Sequence, residues 1–323
     1  MYHLPTQSGF VRKLLLIVVL GAVFFVILFK HFLAPPADFP VPYRLTIEPG
    51  QTLFSISDEL YSAHVIRSPR LFEIFMLSIG SDKNISEGEY YFQNPANALV
   101  VALRISGKEF GITRTKVTFP EGFTNKEMAD RFAANFPAFD AQAFTSLTKD
   151  KQGYLFPDTY SSFPSLTAEH AVLMLEDNFQ KKTESLDKDI SKSGHTLKDI
   201  IIMASILEKE AAGEEDRATV AGILWARLAN GMPLQVDAPF AYLLGKESKD
   251  LTKEDLATKS PYNTYINKGL PPAPINNPGL AAITAAIHPV STPYLYYLHD
   301  KNGQIHYART YEEHKKNINT YLK

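Results

Sequence analysis

In "MASILEKEAAGEED", residues 203–216, two glutamates, Glu208 and Glu210, close a run of apolar residues. At about 100° per residue along 197–212, Met203, Ile206, Leu207 and Glu210 share one arc of a helix, and Ser205 and Lys209 lie well away from it. That phase points the Glu210 carboxyl where the apolar face points. Glu208 falls at the edge, beside Ile201 and Ala204, open to water or to a nearby arginine. Removing a carboxylate from water disfavours its ionised form, so the pKa of Glu210 should rise, as a proton donor near neutral pH requires. The competing reading is structural: a helix-end glutamate paired to an arginine or capping a neighbouring helix.

The residues downstream decide what such an acid could act on. "LQVDAPFAYLLG" supplies Gln235, Asp237 and Tyr242; "SPYNTYINKGLPPAPINNPG" supplies Tyr262, Asn263, Thr264, Tyr265 and Asn276; "PYLYYL" adds further tyrosines. Amides and hydroxyls interleaved with tyrosine faces suit a carbohydrate, whose hydroxyls lie at its edges and whose C–H surfaces lie at its faces. The same mixture also serves protein interfaces. Other chemistries are excluded more firmly. The chain has no cysteine, so thiol catalysis and disulfides are out, and its nine histidines form no H-E-x-x-H pair or comparable ligand spacing. His288, before Pro289, reads as structural. There is no G-x-S-x-G elbow. A net charge of -2 leaves no footprint for nucleic acid.

The elements that must position these groups can be read along 323 residues, 45% of them hydrophobic and 21% charged, a balance that supports a sizeable core. Residues 14–29 carry no charge; Arg12 and Lys13 precede them, Lys30 and His31 follow, and Phe32 and Leu33 extend the run. With the Lys30 head reaching the interface, 14–33 is long enough to span a bilayer. A cleaved signal would need small residues near "FLA" at 32–34, where Phe32 stands instead, so an uncleaved anchor is expected. Arg12 and Lys13 make 1–13 a cytoplasmic tail and carry the rest of the chain across the membrane. Prolines make 34–42 an extended spacer that holds the next domain off the bilayer.

Beyond it, Leu45 and Ile47 alternate as a strand, Pro49 and Gly50 turn, and Leu53, Ile56 and Leu60 repeat at helical spacing behind Thr52 as N-cap. A second helix in "SPRLFEIFMLSIG" and a strand in "ISEGEYYF" complete a small unit, 43–108. The larger unit, 109–323, opens with a strand in "TRTKVTFPEG" and a helix whose Thr124 and Glu127 form a capping box. Helices follow in "TAEHAVLMLEDNFQKKTESL", "TLKDIIIMASILEKEAA" and "EEDRATVAGILWARLANG", the last stopped by Gly231. From there to 298 the chain is rich in Pro, Asn, Gly and Tyr and is expected to be irregular. The fold class is α+β.

"SILEKEAA", "GMPLQVDAPFAY", "SPYNTYINKGLPPAPINNPGLAAITAAIHP", "TPYLYYL" and "GYLFPDTY", in this order and spacing, resemble the endolytic murein transglycosylase, or YceG-like, family across roughly 44–323. The resemblance implies that Glu210, second acid of the E-K-E triplet, is catalytic. It implies that 43–108 is a LysM-like subdomain, although Gln51 replaces the usual aspartate in "PGQTLFSISDEL". The implied substrate is the peptidoglycan glycan strand, cut between N-acetylmuramic acid and N-acetylglucosamine without water, metal or other cofactor, leaving 1,6-anhydro ends. Gln235, Asp237, Tyr262, Asn263, Thr264 and Asn276 are then expected to bind or position substrate. Asp158, Asp237 and Glu208 are candidates for a second carboxylate that this chemistry does not need. The implied setting is a bacterial inner membrane, with the catalytic domain in the periplasm or outer wall space and peptidoglycan synthases as partners. A non-catalytic glycan-binding scaffold and an ordinary polysaccharide hydrolase are the alternatives.

Overall fold

A computed structural model describes residues 7–81, 85–210, 213–246 and 248–322. Part of the expected tail, 1–6, and the last two residues of the helix expected through Ala212 lie outside them. The chain divides into two compact units between Arg114 and Thr115.

The first unit opens with α1, Gln7–Leu33, which contains an apolar stretch, Arg12–Leu33, with an 18-residue window of mean hydropathy 2.6. The stretch is long and apolar enough to cross a membrane or to act as a signal. Strand β1, Tyr43–Ile47, pairs antiparallel with β2, Gly88–Phe92, with Leu45 opposite Tyr90. Between them run α2, Leu53–Ser62, whose N-cap Thr52 accepts the Ser55 N–H as expected, and α3, Pro69–Ile79. Helix α4, Ala98–Ser106, follows β2 and was not legible as a helix. Leu45, Ile56, Leu60, Phe72, Met76, Tyr90, Phe92, Val101 and Ile105 form one core.

Two details depart from the sequence reading. Phe110 packs on that core and its carbonyl accepts the Tyr91 N–H at 2.7 Å, so the segment after Lys108 stays with the first unit. The proline-rich segment is not a free spacer. Arg67 Nε and Nη2 donate to the Pro35 carbonyl at 3.2 and 3.0 Å, Asp38 pairs with His64, and Phe39 is buried in the core.

In the second unit β3, Thr115–Thr118, pairs antiparallel with β4, Thr159–Ser162. Between them lie α5, Asn125–Asn135, with the Thr124–Glu127 capping box in place, and α6, Ala141–Leu147. Phenylalanines 119, 132, 136 and 144 pack there with α7, Ala168–Thr183, which stops short of the expected span at a 3-10 turn. Helix α8 is Asp187–Ser193, and α9, Leu197–Glu210, begins where Thr196 and Asp199 exchange cap hydrogen bonds. Helix α10, Glu214–Ala229, follows.

The stretch expected to be irregular holds α11, Ala238–Leu244, α12, Lys253–Leu256, and α13, Leu280–Ile287, and then enters β5, Tyr296–His299. Strand β6, Ile305–Ala308, closes a hairpin with β5 and leads into α14, Tyr311–Tyr321. Helices α10, α11 and α13 all pack on α9 or on each other, so Ile200 through Leu207 of α9 are buried without interruption. The one-faced amphipathic helix of the sequence reading is therefore corrected: Ser205, placed away from the apolar arc, is fully buried. Trp225 Nε1 donates to the Ala286 carbonyl at 3.0 Å and ties α10 to α13. Gly222 lets these elements close up, because a Cβ there would stand 2.0 Å from the Val290 carbonyl oxygen.

Candidate active site

Packing on three sides carries α9 through the core and brings its last residue, Glu210, to the wall of a cleft of about 900 Å³. The Glu210 side chain is half-buried, and Tyr297 Oη donates to its Oε2 at 2.8 Å. Desolvation pushes the Glu210 carboxyl up to about 7 and nearby Asp237 adds to the rise, against the Tyr297 hydroxyl and the Ala238 N–H, which favour the anion. The pKa expected from helical phase is thus matched by a local cause.

Asp237 sits at the N-terminus of α11, and Tyr265 Oη donates to its Oδ1 at 2.6 Å. The loop before it is fixed by Thr264, whose hydroxyl accepts the Val236 N–H at 3.1 Å and donates to the Val236 carbonyl at 2.7 Å. Gln235 takes a positive φ of 52° in that loop, and its N–H donates to the Thr264 carbonyl at 2.9 Å. Such backbone strain persists only where surrounding contacts hold it. Arg227, buried at the end of α10, supplies one of them: its Nη2 donates to Gln235 Oε1 at 2.5 Å, and its other nitrogens donate to the Pro233 and Leu295 carbonyls.

Gln235 and Asp237 accordingly line the cleft with Glu210. Tyr262, Asn263, Thr264 and Asn276 do not, and they make structural contacts instead. Asn263 Nδ2 donates to the Leu256 and Thr258 carbonyls, Asn276 Nδ2 donates to the Ser205 carbonyl at 2.7 Å, and Tyr262 packs on Tyr242. Of the two settings expected for Glu208, water or an arginine, the structure has the second. Its side chain is 7% exposed, 3.9 Å from Arg217, and accepts the Gly279 N–H, so the arginine neighbour is present and the water is not. Asp158 lies off the cleft. Although burial opposes it, the Thr159 N–H, Asn178 and Lys182 hold its carboxyl below the usual range.

The cleft also contains two of the tyrosines of "PYLYYL" and residues that the sequence did not single out. Tyr296, Tyr297 and His299 reach it from β5, and Tyr311 and His314 from α14. Burial holds His299 below its ordinary pKa, and its ring hydrogen-bonds the Glu210 backbone. "YLYYLH" carried one usable signal: in a strand, Tyr297 and His299 must share a face. What the sequence lacked was the strand itself, because its partner β6 lies beyond a turn.

Glu210, a desolvated carboxylic acid, thus faces a cleft that Tyr265, Tyr296, Tyr297 and Tyr311 wall. The chain belongs to the YceG-like family, whose pattern matches residues 45–320. Among its relatives, the endolytic murein transglycosylase of Bacillus subtilis (strain 168) is 27% identical over 321 residues, covering 91% of this chain and 89% of the relative. The protein of that name from Streptococcus pneumoniae strain D39 is 35% identical over 173 residues, 52% of this chain but 31% of the relative. A crystal structure of a yceG-like protein from Listeria monocytogenes superposes with a TM-score of 0.58 at 28% identity, covering 85% of this chain and 99% of that one.

Proposed function

We propose that this chain is a membrane-anchored lytic transglycosylase that cuts peptidoglycan glycan strands internally, between N-acetylmuramic acid and N-acetylglucosamine, leaving 1,6-anhydro ends. The observation that carries the reading is Glu210, a carboxyl hydrogen-bonded by Tyr297 and raised by burial to about 7, at the wall of a tyrosine-rich cleft. The names and extents of the relatives support the activity.

In the first step Glu210 gives its proton to the glycosidic oxygen as the C1–O bond breaks, and the leaving sugar departs with a new hydroxyl. In the second, the Glu210 carboxylate takes the proton of the muramic acid 6-hydroxyl while O6 closes on C1. The acid is restored and no water is consumed. One carboxyl thus does what two do in most glycosidases. The nearby charge of Asp237 keeps the proton on Glu210 until transfer and stabilises positive charge developing at C1. Tyrosine faces support the sugar rings.

Residues 14–33 are read as the anchor, with Arg12 and Lys13 on the cytoplasmic side of a bacterial inner membrane and the chain from 34 onward outside it. Residues 43–108 are read as a LysM-like subdomain. Peptidoglycan synthases, which make the strand at that surface, are the proposed partners.

The test is mass spectrometry of purified glycan strands incubated with the full chain in detergent or with its Glu210→Gln variant. Anhydro-ended fragments from the parent alone support the reading. Free reducing ends would make the protein a hydrolase, and bound but uncut glycan with the parent would make it a scaffold.

A further inference from the structure

We propose that Tyr297 is a positioning residue that commits one oxygen of Glu210, Oε2, to a standing hydrogen bond, so that the mobile proton leaves and returns at Oε1. The inference rests on the reading of Glu210 as the general acid.

A protonated carboxyl has one hydroxyl oxygen and one carbonyl oxygen. With the single Tyr297 proton directed at Oε2 over 2.8 Å, Oε2 is the carbonyl oxygen and the acid proton belongs to Oε1. Tyr297 is well placed to make that assignment permanent. Its backbone is fixed opposite Tyr307 in the β5–β6 hairpin, the next residue, Leu298, is in the core, and its ring meets His299 edge-on at 6.0 Å. Burial, followed by the Glu210 charge, raises the phenol well above its ordinary pKa, so it remains a donor wherever the enzyme works.

The other groups facing Glu210 act differently. Asp237 contributes charge from α11, and the Ala238 N–H contributes a backbone donor. His299 holds the Glu210 backbone rather than its carboxyl. Tyr265 is spent on Asp237, and Arg227 lies among the tyrosines with its donors on Gln235 and two carbonyls. Lys209 shares the cleft wall. In bond terms, Oε1–H breaks as the glycosidic oxygen is protonated and re-forms as O6–H breaks. Oε2 keeps its partner throughout, so the carboxyl need not rotate between the two steps.

The test follows the ionisation of Glu210 directly, by carbon-13 NMR of the full chain labelled at glutamate carboxyls, with the signal identified by its loss in Glu210→Gln. In Tyr297→Phe the anion loses a donor, so the midpoint should rise above that of the parent. The alkaline limb of kcat/KM should move up with it, and the rate below the limb should fall about tenfold to hundredfold. Replacing Tyr297 by 3-fluorotyrosine, a stronger donor that keeps the ring and its hydroxyl, should move the midpoint down. If both midpoints match the parent's and the rate falls equally at every pH, Tyr297 is structural and the proposal is overturned. Should Glu210→Gln still make anhydro-ended fragments, the acid lies elsewhere and the functional reading fails with it; an inactive Glu210→Gln with unmoved midpoints removes the Tyr297 role alone.

Discussion

The Glu208 carboxylate accepts the backbone N–H of Gly279 at 2.9 Å, joining the last turn of α9 to the loop that starts α13. Two residues on, Glu210 faces the cleft. The two acids of one triplet therefore hold different tasks, and their variants should fail differently.

Glu210→Gln should lower the rate of anhydro-product formation by about 10²- to 10⁴-fold, the usual worth of a positioned general acid–base. Glu208→Gln should retain the chemistry and lose about 1–3 kcal/mol of stability, because the buried Arg217 loses its charged neighbour. Initial rates beside thermal melts separate the two. A Glu208 variant as inactive as the Glu210 variant, with an unchanged melt, would reverse the assignment.

The pH profile follows from the same carboxyl. Glu210 must be protonated to act as an acid, and burial places its pKa at about 7, so kcat/KM should fall tenfold per pH unit above that value. Rates on short strands at constant ionic strength read the limb. A profile flat to about pH 9 would mean that another group supplies the proton.

Stability should run the same way. A carboxyl whose folded pKa exceeds its unfolded one favours the folded state below the unfolded value and loses that contribution as pH rises through the folded value. For Glu210 the window runs from 4.5 to about 7. Glutamine pays no ionisation cost, so Glu210→Gln should gain on the parent by on the order of 1–3 kcal/mol as pH rises through that window. Denaturation midpoints at both ends measure it; an unchanging difference would show the carboxyl to be well solvated.

Asn277 is a hub that the sequence reading passed over in favour of its neighbour Asn276. Its Oδ1 accepts the Gly153 and Leu155 N–H groups at 2.8 and 3.1 Å, and its Nδ2 donates to the Phe123 carbonyl and Asn125 Oδ1. Asn277→Ala strands several buried partners and should cost about 3 kcal/mol or more. Asn277→Asp keeps the acceptor and loses the donors, so its melt should fall between those of the parent and the alanine variant.

What the sequence disclosed followed periodicity. Thr52 and Thr124 announced their helices because capping is local, and Glu210 stood out because 3.6-residue phase survives in any context. Glu208 fell at the helix edge because phase assumes one buried face, whereas α9 is surrounded by α10, α11 and α13. Helix α13 hid inside a Pro- and Asn-rich stretch, its "LAAITAAI" too short and too uniformly apolar to show a period. The polar residues expected in the cleft divided by a rule that sequence cannot apply. Asn263, Thr264 and Asn276 were claimed by loop backbone, which must find hydrogen-bond partners when buried. Gln235 and Asp237 remained at the cleft wall.

The clasp of Arg67 on Pro35, with Phe39 buried beyond it, turns a tether into a bracket. Under the proposed anchoring, the first unit does not swing on a flexible leash; it stands where the apolar helix leaves the bilayer. Residues 43–108 would then be held at the membrane face by carpentry rather than by affinity.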